Sequence, residues 1–314
     1  RGQQSGRNVL TNSCFRMFSA ANMAVDKRSG AFADDLYMVL SDNRNGTRGS
    51  TNTDVFFFTS KDGGTTWIGP TRVNDDPSTA PANRDCSPSN AACRQIFGND
   101  NFYPWVDISL KGDINVVFHD RRLDTESTLN EWPTSRQRPG NYLAWFWGAI
   151  CTVTTTATVD ENSTTIPLAA RQCLAPGAGI IEEPDPILNP SPGPDPVAGQ
   201  GSAFLGPFKN FTVSDVPSNM DYSFRAGIFM GDYNNVAIGV DGTAYGFWTD
   251  ARNGRSSRQQ AGRNPACEQA DVFADSWSSN MGGTKTQRPS IDVINAFSVT
   301  PCPIDMVDPA HPRP

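Results

Sequence analysis

The chain has 314 residues, a formal net charge of −7, and 37% hydrophobic residues with 24 Pro and 27 Gly. The negative balance argues against nucleic acid and anionic membranes as partners, and no apolar run reaches the roughly 18 residues of a spanning helix. Helix formers are scarce and helical periodicity is absent, so the composition predicts an all-β chain of short strands and many turns.

Three stretches repeat one pattern. The first begins with a short apolar run, Asn22–Asp26, and a turn carrying Gly30. A second run, Leu36–Ser41, ends in Asp42-Asn43-Arg44, and a third covers Val55–Thr59. Residues 60–67 then read Ser-Lys-Asp-Gly-Gly-Thr-Thr-Trp, and a fourth run follows at Thr71–Val73. In this octet Gly63 and Gly64 suit positive φ. The Asp62 carboxylate suits backbone N–H groups across the turn, and Trp67 is placed to fold its indole over the hairpin.

The second stretch has runs at Trp105–Ser109 and Ile114–His119, with Gly112 between them. The latter ends in Asp120-Arg121-Arg122. Its third and fourth runs are read at Tyr142–Trp147 and Phe208–Val213. Between them lies an insertion at about 148–203, whose Pro/Gly-rich half, Pro176–Gly201, reads as an extended surface linker. The third stretch has Asn235–Gly239, Gly242, and Ala244–Thr249 ending in Asp250-Ala251-Arg252. Val272–Trp277 and Ala296–Val299 complete it. Each stretch is thus four strands, the second ending in D-x-R.

Four antiparallel strands per unit is the blade of a β-propeller. The octet Ser60, Asp62, Gly64, Thr66, Trp67 resembles the Asp-box, S-x-D-x-G-x-T-W, so the chain resembles the sialidase-like β-propellers over its three units. The expected blades are about 19–76, 102–215 and 229–302. Three do not close a propeller of about 4–8 blades, so the chain is read as one propeller domain or part of one. Either further blades too divergent to read stand in 76–102 and 148–203, or the remaining blades lie outside this chain, with another polypeptide as one source.

There are seven cysteines: Cys14, Cys86, Cys93, Cys151, Cys173, Cys267 and Cys302. They form no C-x-x-C pair, and only two histidines accompany them, which disfavours zinc. Disulfides are expected, hence a secreted, extracellular or cell-surface location. Cys86 and Cys93 are placed to close one loop, and Cys151 and Cys173 bracket a Thr-rich segment. The odd count leaves one sulfur free or paired with another chain. A chain starting at Arg1 without a signal peptide is read as the mature part of a longer precursor. Asn45, Asn162 and Asn210 are glycosylation sequons for a eukaryotic host.

Antiparallel pairing puts each D-x-R beside the residues that precede strand one. Any ligand site is expected at that end, with the 60–67 turn at the other. Arg16, Arg44, Arg122 and Arg252 are the candidate ligand-binding cations, suited to bidentate carboxylate contacts, and Trp105 is a candidate sugar platform. The resemblance implies a sialidase set: three arginines on the substrate carboxylate, a Tyr–Glu nucleophile and an acid/base Asp. Against it, Phe15-Arg16-Met17-Phe18 matches the family's F-R-I-P motif poorly, and no Tyr–Glu pair is evident. Asp232, Tyr233, Tyr103 and Asp120 are the catalytic candidates. The structural reading of D-x-R has Asp capping the loop and Arg bridging to the next blade. No cofactor is required. Asn74-Asp75-Asp76 and Asp120–Asp124 offer oxygen ligands of the kind calcium takes.

Three functions follow: a non-catalytic module binding a glycan or protein, a glycoside hydrolase of exo-sialidase type with part of its site on absent blades, or a structural subunit of a surface assembly.

Overall fold

A computed structural model describes residues 8–9, 16–17, 20–43, 53–76, 100–122, 143–152, 173–174, 179–181, 206–219, 231, 234–252, 271–279 and 291–294. These residues are all-β apart from one 3-10 turn at Gly30–Phe32. Among them no helix is long and apolar enough to cross a membrane.

Three antiparallel sheets carry the fold. The first contains β3 (Asn22–Val25), β4 (Leu36–Asp42), β5 (Asp54–Ser60) and β6 (Trp67–Arg72), in that spatial order. The second contains β7 (Asn101–Ile108), β8 (Asp113–Asp120), β9 (Leu143–Thr152) and β11 (Lys209–Thr212), with β12 (Ser218–Asn219) also on β9. The third contains β13 (Asn235–Ile238), β14 (Thr243–Asp250), β15 (Asp271–Ser278) and β16 (Ile291–Ile294). A two-residue pair, β1 (Asn8–Val9) with β2 (Arg16–Met17), stands apart.

The registers superimpose the units. Asp42 pairs Asp54, Asp120 pairs Trp145, and Asp250 pairs Asp271. These aspartates are therefore equivalent, and so are the side chains that alternate along β4, β8 and β14. Leu36, Ile114 and Ala244 share one face; Val39, Val117 and Phe247 share the other.

The sheets stack in chain order. β7 packs against β3 and β4, and β13 packs against β7 and β8. One apolar core joins the first two sheets through Tyr37, Val39, Val55 and Phe57 against Val116 and Phe118. Another joins the second and third through Val117, Phe146 and Phe211 against Trp248 and Trp277. Two glycines let rings lie across strands. A Cβ on Gly148 would stand 2.5 Å from Phe211, and one on Gly246 would stand 2.9 Å from Trp277.

Strand boundaries differ from expectation in several places: β6 begins at Trp67 rather than Thr71, β7 begins at Asn101 rather than Trp105, and three further differences follow from partners. β9 continues to Thr152, because Ile114 and Asp113 of β8 extend the ladder to Cys151 and Thr152; the insertion thus starts after 152. The fourth strand of the third unit is Ile291–Ile294, since Ile294 pairs Val272 and Asp292 pairs Phe273; the expected Ala296–Val299 lies outside the described residues. Within the stretch read as a linker, Gly179–Ile181 forms β10, an outer fifth strand on the first sheet, paired with Trp67–Gly69 of β6. Backbone pairing along an open sheet edge rewards an extended segment of almost any composition. A Cys151–Cys173 disulfide closes the 22-residue start of this insertion. The other five cysteines lie outside the described residues.

The 60–67 turn closes on its own side chains. The Ser60 hydroxyl donates to Asp62 Oδ1 at 2.9 Å and accepts the Gly64 N–H at 2.9 Å. Asp62 accepts the Thr66 N–H at 2.8 Å and its hydroxyl at 2.6 Å. These donors hold the Asp62 carboxyl below its ordinary range, Thr66 above all. Gly63 and Gly64 have φ of 69° and 90°, and the Trp67 ring lies 3.7 Å from where a Gly64 Cβ would stand.

Candidate functional site

The D-x-R ends of β8 and β14 lie opposite the 60–67 turn, as the pairing of Leu36 with Ser60 and Asp42 with Asp54 requires. Each is a strand terminus whose backbone donors need partners. Asp120 accepts the Arg122 N–H at 2.7 Å, and Asp250 accepts the Arg252 N–H at 2.8 Å. This is the Asx-type cap that a short carboxylate makes two residues on.

Both arginines then curl back. Arg122 Nε donates to Asp120 Oδ2 at 2.6 Å, and Arg252 Nε donates to Asp250 Oδ2 at 2.8 Å. Their far nitrogens reach the preceding sheet. Arg122 pairs with Asp75 and lies 3.5 Å from Asp76, just beyond the end of β6. Arg252 pairs with Asp215 at 2.7 Å, just beyond β11. Their guanidinium planes cover aromatic rings, Arg122 over Trp147 and Arg252 over Phe273, each at 4.1 Å. Arg122 thus spans three carboxylates and a ring, and Arg252 two carboxylates and a ring, a use that suits Arg and not Lys. The bridge runs to the preceding unit, whereas the sequence reading had it run to the next.

The acceptors belong to a second repeated pattern. Val73-Asn74-Asp75 and Val213-Ser214-Asp215 leave the fourth strands in the same way. The Val73 N–H donates to the Val55 carbonyl and the Val213 N–H to the Phe146 carbonyl. In return Asn74 Oδ1 accepts the Val55 N–H at 2.8 Å, and Ser214 Oγ accepts the Phe146 N–H at 2.9 Å. Sequence reasoning offered Asp75 only as an oxygen ligand for calcium and passed over Asp215 and the shared pattern; the recurrence of Val, a small polar residue and Asp after the fourth strands of the first two units was the signal.

Between the first and second sheets the polar groups are buried. Asn74 Nδ2 donates to Asp54 Oδ1 at 2.6 Å and also to Asp76. Asn101 Nδ2 reaches Asp76 at 3.3 Å. Burial pushes the Asp120 carboxyl up to about 8, against the pull of Arg122 and with the help of Asp76. Arg121, the middle residue of its D-x-R, is fully buried and pairs with Asp100 at 3.0 Å. Asp100 also accepts the Thr53 N–H and hydroxyl, each at 3.1 Å. A buried pair of this kind is costly to break from one side. Among the described residues no group of three or more His, Cys, Asp or Glu is arranged to hold a metal.

His119 is equally enclosed. Its ring stacks on Phe102 and meets Phe146 edge-on, each with centroids 5.4 Å apart. Asn234 Nδ2 stands 2.9 Å from His119 Nδ1 and 2.9 Å from the Tyr103 carbonyl. Nδ1 is therefore the acceptor, and the ring is a neutral spacer between the second and third sheets. Burial pulls its pKa down to about 3, opposed by the Thr249 backbone.

Tyr103 and Trp105 sit at a bulge in β7, where the pairing with β8 shifts between Phe102 and Trp105. Tyr103 has φ +54°, uncommon for a non-glycine residue. It is buried, with its ring edge against Phe102. Trp105 packs partly buried beside the core of the second and third sheets. Arg16 lies in β2, its side chain outside what is described; Arg44, Asp232 and Tyr233 lie outside the described residues. The structure therefore brings Tyr103, Asp120 and Arg122 to one end of the second sheet, and Arg252 to the matching end of the third, while Trp105 lies mid-strand opposite Val117.

Compared with protein-family models, the chain matches none. No curated protein matches it either.

Proposed function

We propose that this chain is part of a sialidase-like β-propeller and serves as a secreted, non-catalytic module that presents its D-x-R end to a glycan or a protein. Three repeat-equivalent four-stranded meanders, stacked with their first strands side by side, support the propeller reading. The Asp-box likeness of the 60–67 turn supports the sialidase-like branch of it.

One observation carries the non-catalytic reading. Arg122 already engages Asp120, Asp75 and Asp76, and Arg252 already engages Asp250 and Asp215. The residue type that would clamp a substrate carboxylate is spent on locking sheets together. A ligand carboxylate would have to displace a partly buried aspartate from each.

The exo-sialidase alternative is favoured by one feature, the positive φ of Tyr103. Strained non-glycine backbone gathers at active sites. A fluorogenic sialoside assay on the purified chain separates the two readings, run beside binding to an array of sialylated and neutral glycans. No turnover, with or without glycan retention, is the expected result. Turnover that Tyr103→Phe abolishes would overturn the non-catalytic reading.

A further inference from the structure

Among the described residues, the D-x-R end of the first two sheets buries more carboxylates than guanidiniums. Asp54, Asp76, Asp100 and Asp120 are each 3% exposed or less, as are Arg72 and Arg121. Arg121 pairs with Asp100 at 3.0 Å, and Arg72 lies 3.6 Å from Asp54. Asp76 and Asp120 both fall to one further cation, Arg122, whose side chain is 14% exposed. Asp75 meets the same guanidinium, but its carboxylate is 44% exposed and keeps its water. The other contacts of the buried pair are with uncharged donors. Asp76 takes the side-chain amides of Asn74 and Asn101, and Asp120 takes the Arg122 backbone N–H. His119, next to Asp120 in the chain, turns to the third sheet, where Asn234 meets it.

Two carboxylates that share one cation away from water cannot both ionise without a large penalty. We propose that this boundary is a pH-sensitive latch, in which Asp76 and Asp120 together hold one proton while it is shut and which opens more readily as that proton is lost. Burial holds the Asp120 carboxyl up at about 8 against an ordinary 3.8, with Arg122 opposing and the charge of Asp76 adding. In the open latch the carboxyl meets water and recovers its ordinary range. Between about pH 4 and 8 the shut latch therefore binds a proton that the open latch releases. Opening is hardest below about pH 4 and eases as pH rises towards 8. What opens is the D-x-R end of the second sheet, where the Arg122 guanidinium leaves Asp75 and Asp76 and uncovers the Trp147 ring. The latch works in an open stack of sheets and in a closed propeller alike, and so does not rest on the proposed function.

Hydrogen exchange at the Arg122 amide, which donates to Asp120 Oδ1 at 2.7 Å, tests the latch on the full chain. Rates are taken from about pH 5 to about pH 8 and corrected for the intrinsic chemistry of exchange. The wild-type opening constant should rise about 10-fold per pH unit. In Asp120→Asn it should be flat over the same range. Asp76→Asn keeps an oxygen for the amides of Asn74 and Asn101 but loses the charge, so its rise should level off at a lower pH than in wild type. The wild-type slope needs no variant, so a variant that fails to fold leaves the test standing. A wild-type opening constant that does not change with pH overturns the latch. So does a slope that Asp120→Asn retains, because the proton then sits elsewhere. A rise that levels off at the same pH in Asp76→Asn overturns the sharing with Asp76 and leaves burial alone to hold the proton.

Discussion

Arg252 donates from Nη1 to the Asp215 carboxylate at 2.7 Å, and so ties the end of β14 to the segment leaving the previous sheet. Removing the guanidinium strips Asp250, 1% exposed, of its cation and uncovers the Phe273 ring. Arg252→Ala should cost about 3 kcal/mol of unfolding free energy. Asp215→Ala, whose carboxylate is well exposed, should cost about 1 kcal/mol or less. Urea melts of both variants check the ordering. Equal costs would show that the bridge to the preceding sheet, and not the cap on Asp250, carries the energy.

His119 makes stability pH-dependent. Its folded pKa of about 3 lies below the ordinary 6.5. Between those values the unfolded chain binds a proton that the folded chain refuses. Its contribution is therefore fully present above about pH 6.5 and declines as pH falls towards 3, at about 1.4 kcal/mol per pH unit. Asp120, raised to about 8, pulls in the opposite sense. Its contribution is present below about pH 4 and declines as pH rises through 8. Comparing wild type with His119→Gln by urea melts at several pH values between 6.5 and 4 isolates the histidine. The gap between the two proteins should change along that series; a constant gap would mean that His119 is charged in the fold.

The Cys151–Cys173 disulfide closes a loop of 22 residues at the root of the insertion that returns to pair with β6. The loop-closure argument assigns it about 3 kcal/mol. Cys151→Ser should lower the thermal midpoint accordingly. Hydrogen exchange should also quicken at Ile180 and Ile181, whose strand is held on β6 by few bonds. Unchanged protection there would show that β10 is anchored independently of the disulfide.

Asn210 has a sequon but no amide to spare. Its Nδ2 donates to the Val73 carbonyl at 2.9 Å and the Phe208 carbonyl at 3.3 Å, and its Oδ1 faces Arg122 at 3.4 Å. Attaching a sugar would remove a donor from the boundary between two sheets. Peptide mass spectrometry of chain secreted by a glycosylating eukaryotic host should find Asn210 unmodified. Occupancy there would require the β6–β11 boundary to open or to form after modification.

The repeat was legible because its signals are local. Leu36–Ser41, Ile114–His119 and Ala244–Thr249 are strand-length runs, each punctuated by D-x-R, and backbone geometry alone turns such runs into paired strands. The octet at 60–67 was legible for the same reason, since the side chains of Ser60, Asp62 and Thr66 bond to one another and to the turn between them. The end of β9, the position of β16 and the existence of β10 were not legible. Those strands are defined by partners, and Gly179–Ile181 has no strand character until β6 offers its open edge.

The sequence by itself determined an all-β chain, its three units and the end of each unit where D-x-R stands; that Cys151 pairs with Cys173 was decided by the structure. Only the tertiary structure decided what those arginines do. A guanidinium two residues after an aspartate is chemically free to bind a ligand carboxylate or a neighbouring one. The stacking of sheets brought Asp75 to Arg122 and Asp215 to Arg252. The choice lies in distances between segments 37 and 47 residues apart, and nothing local in the chain encodes them.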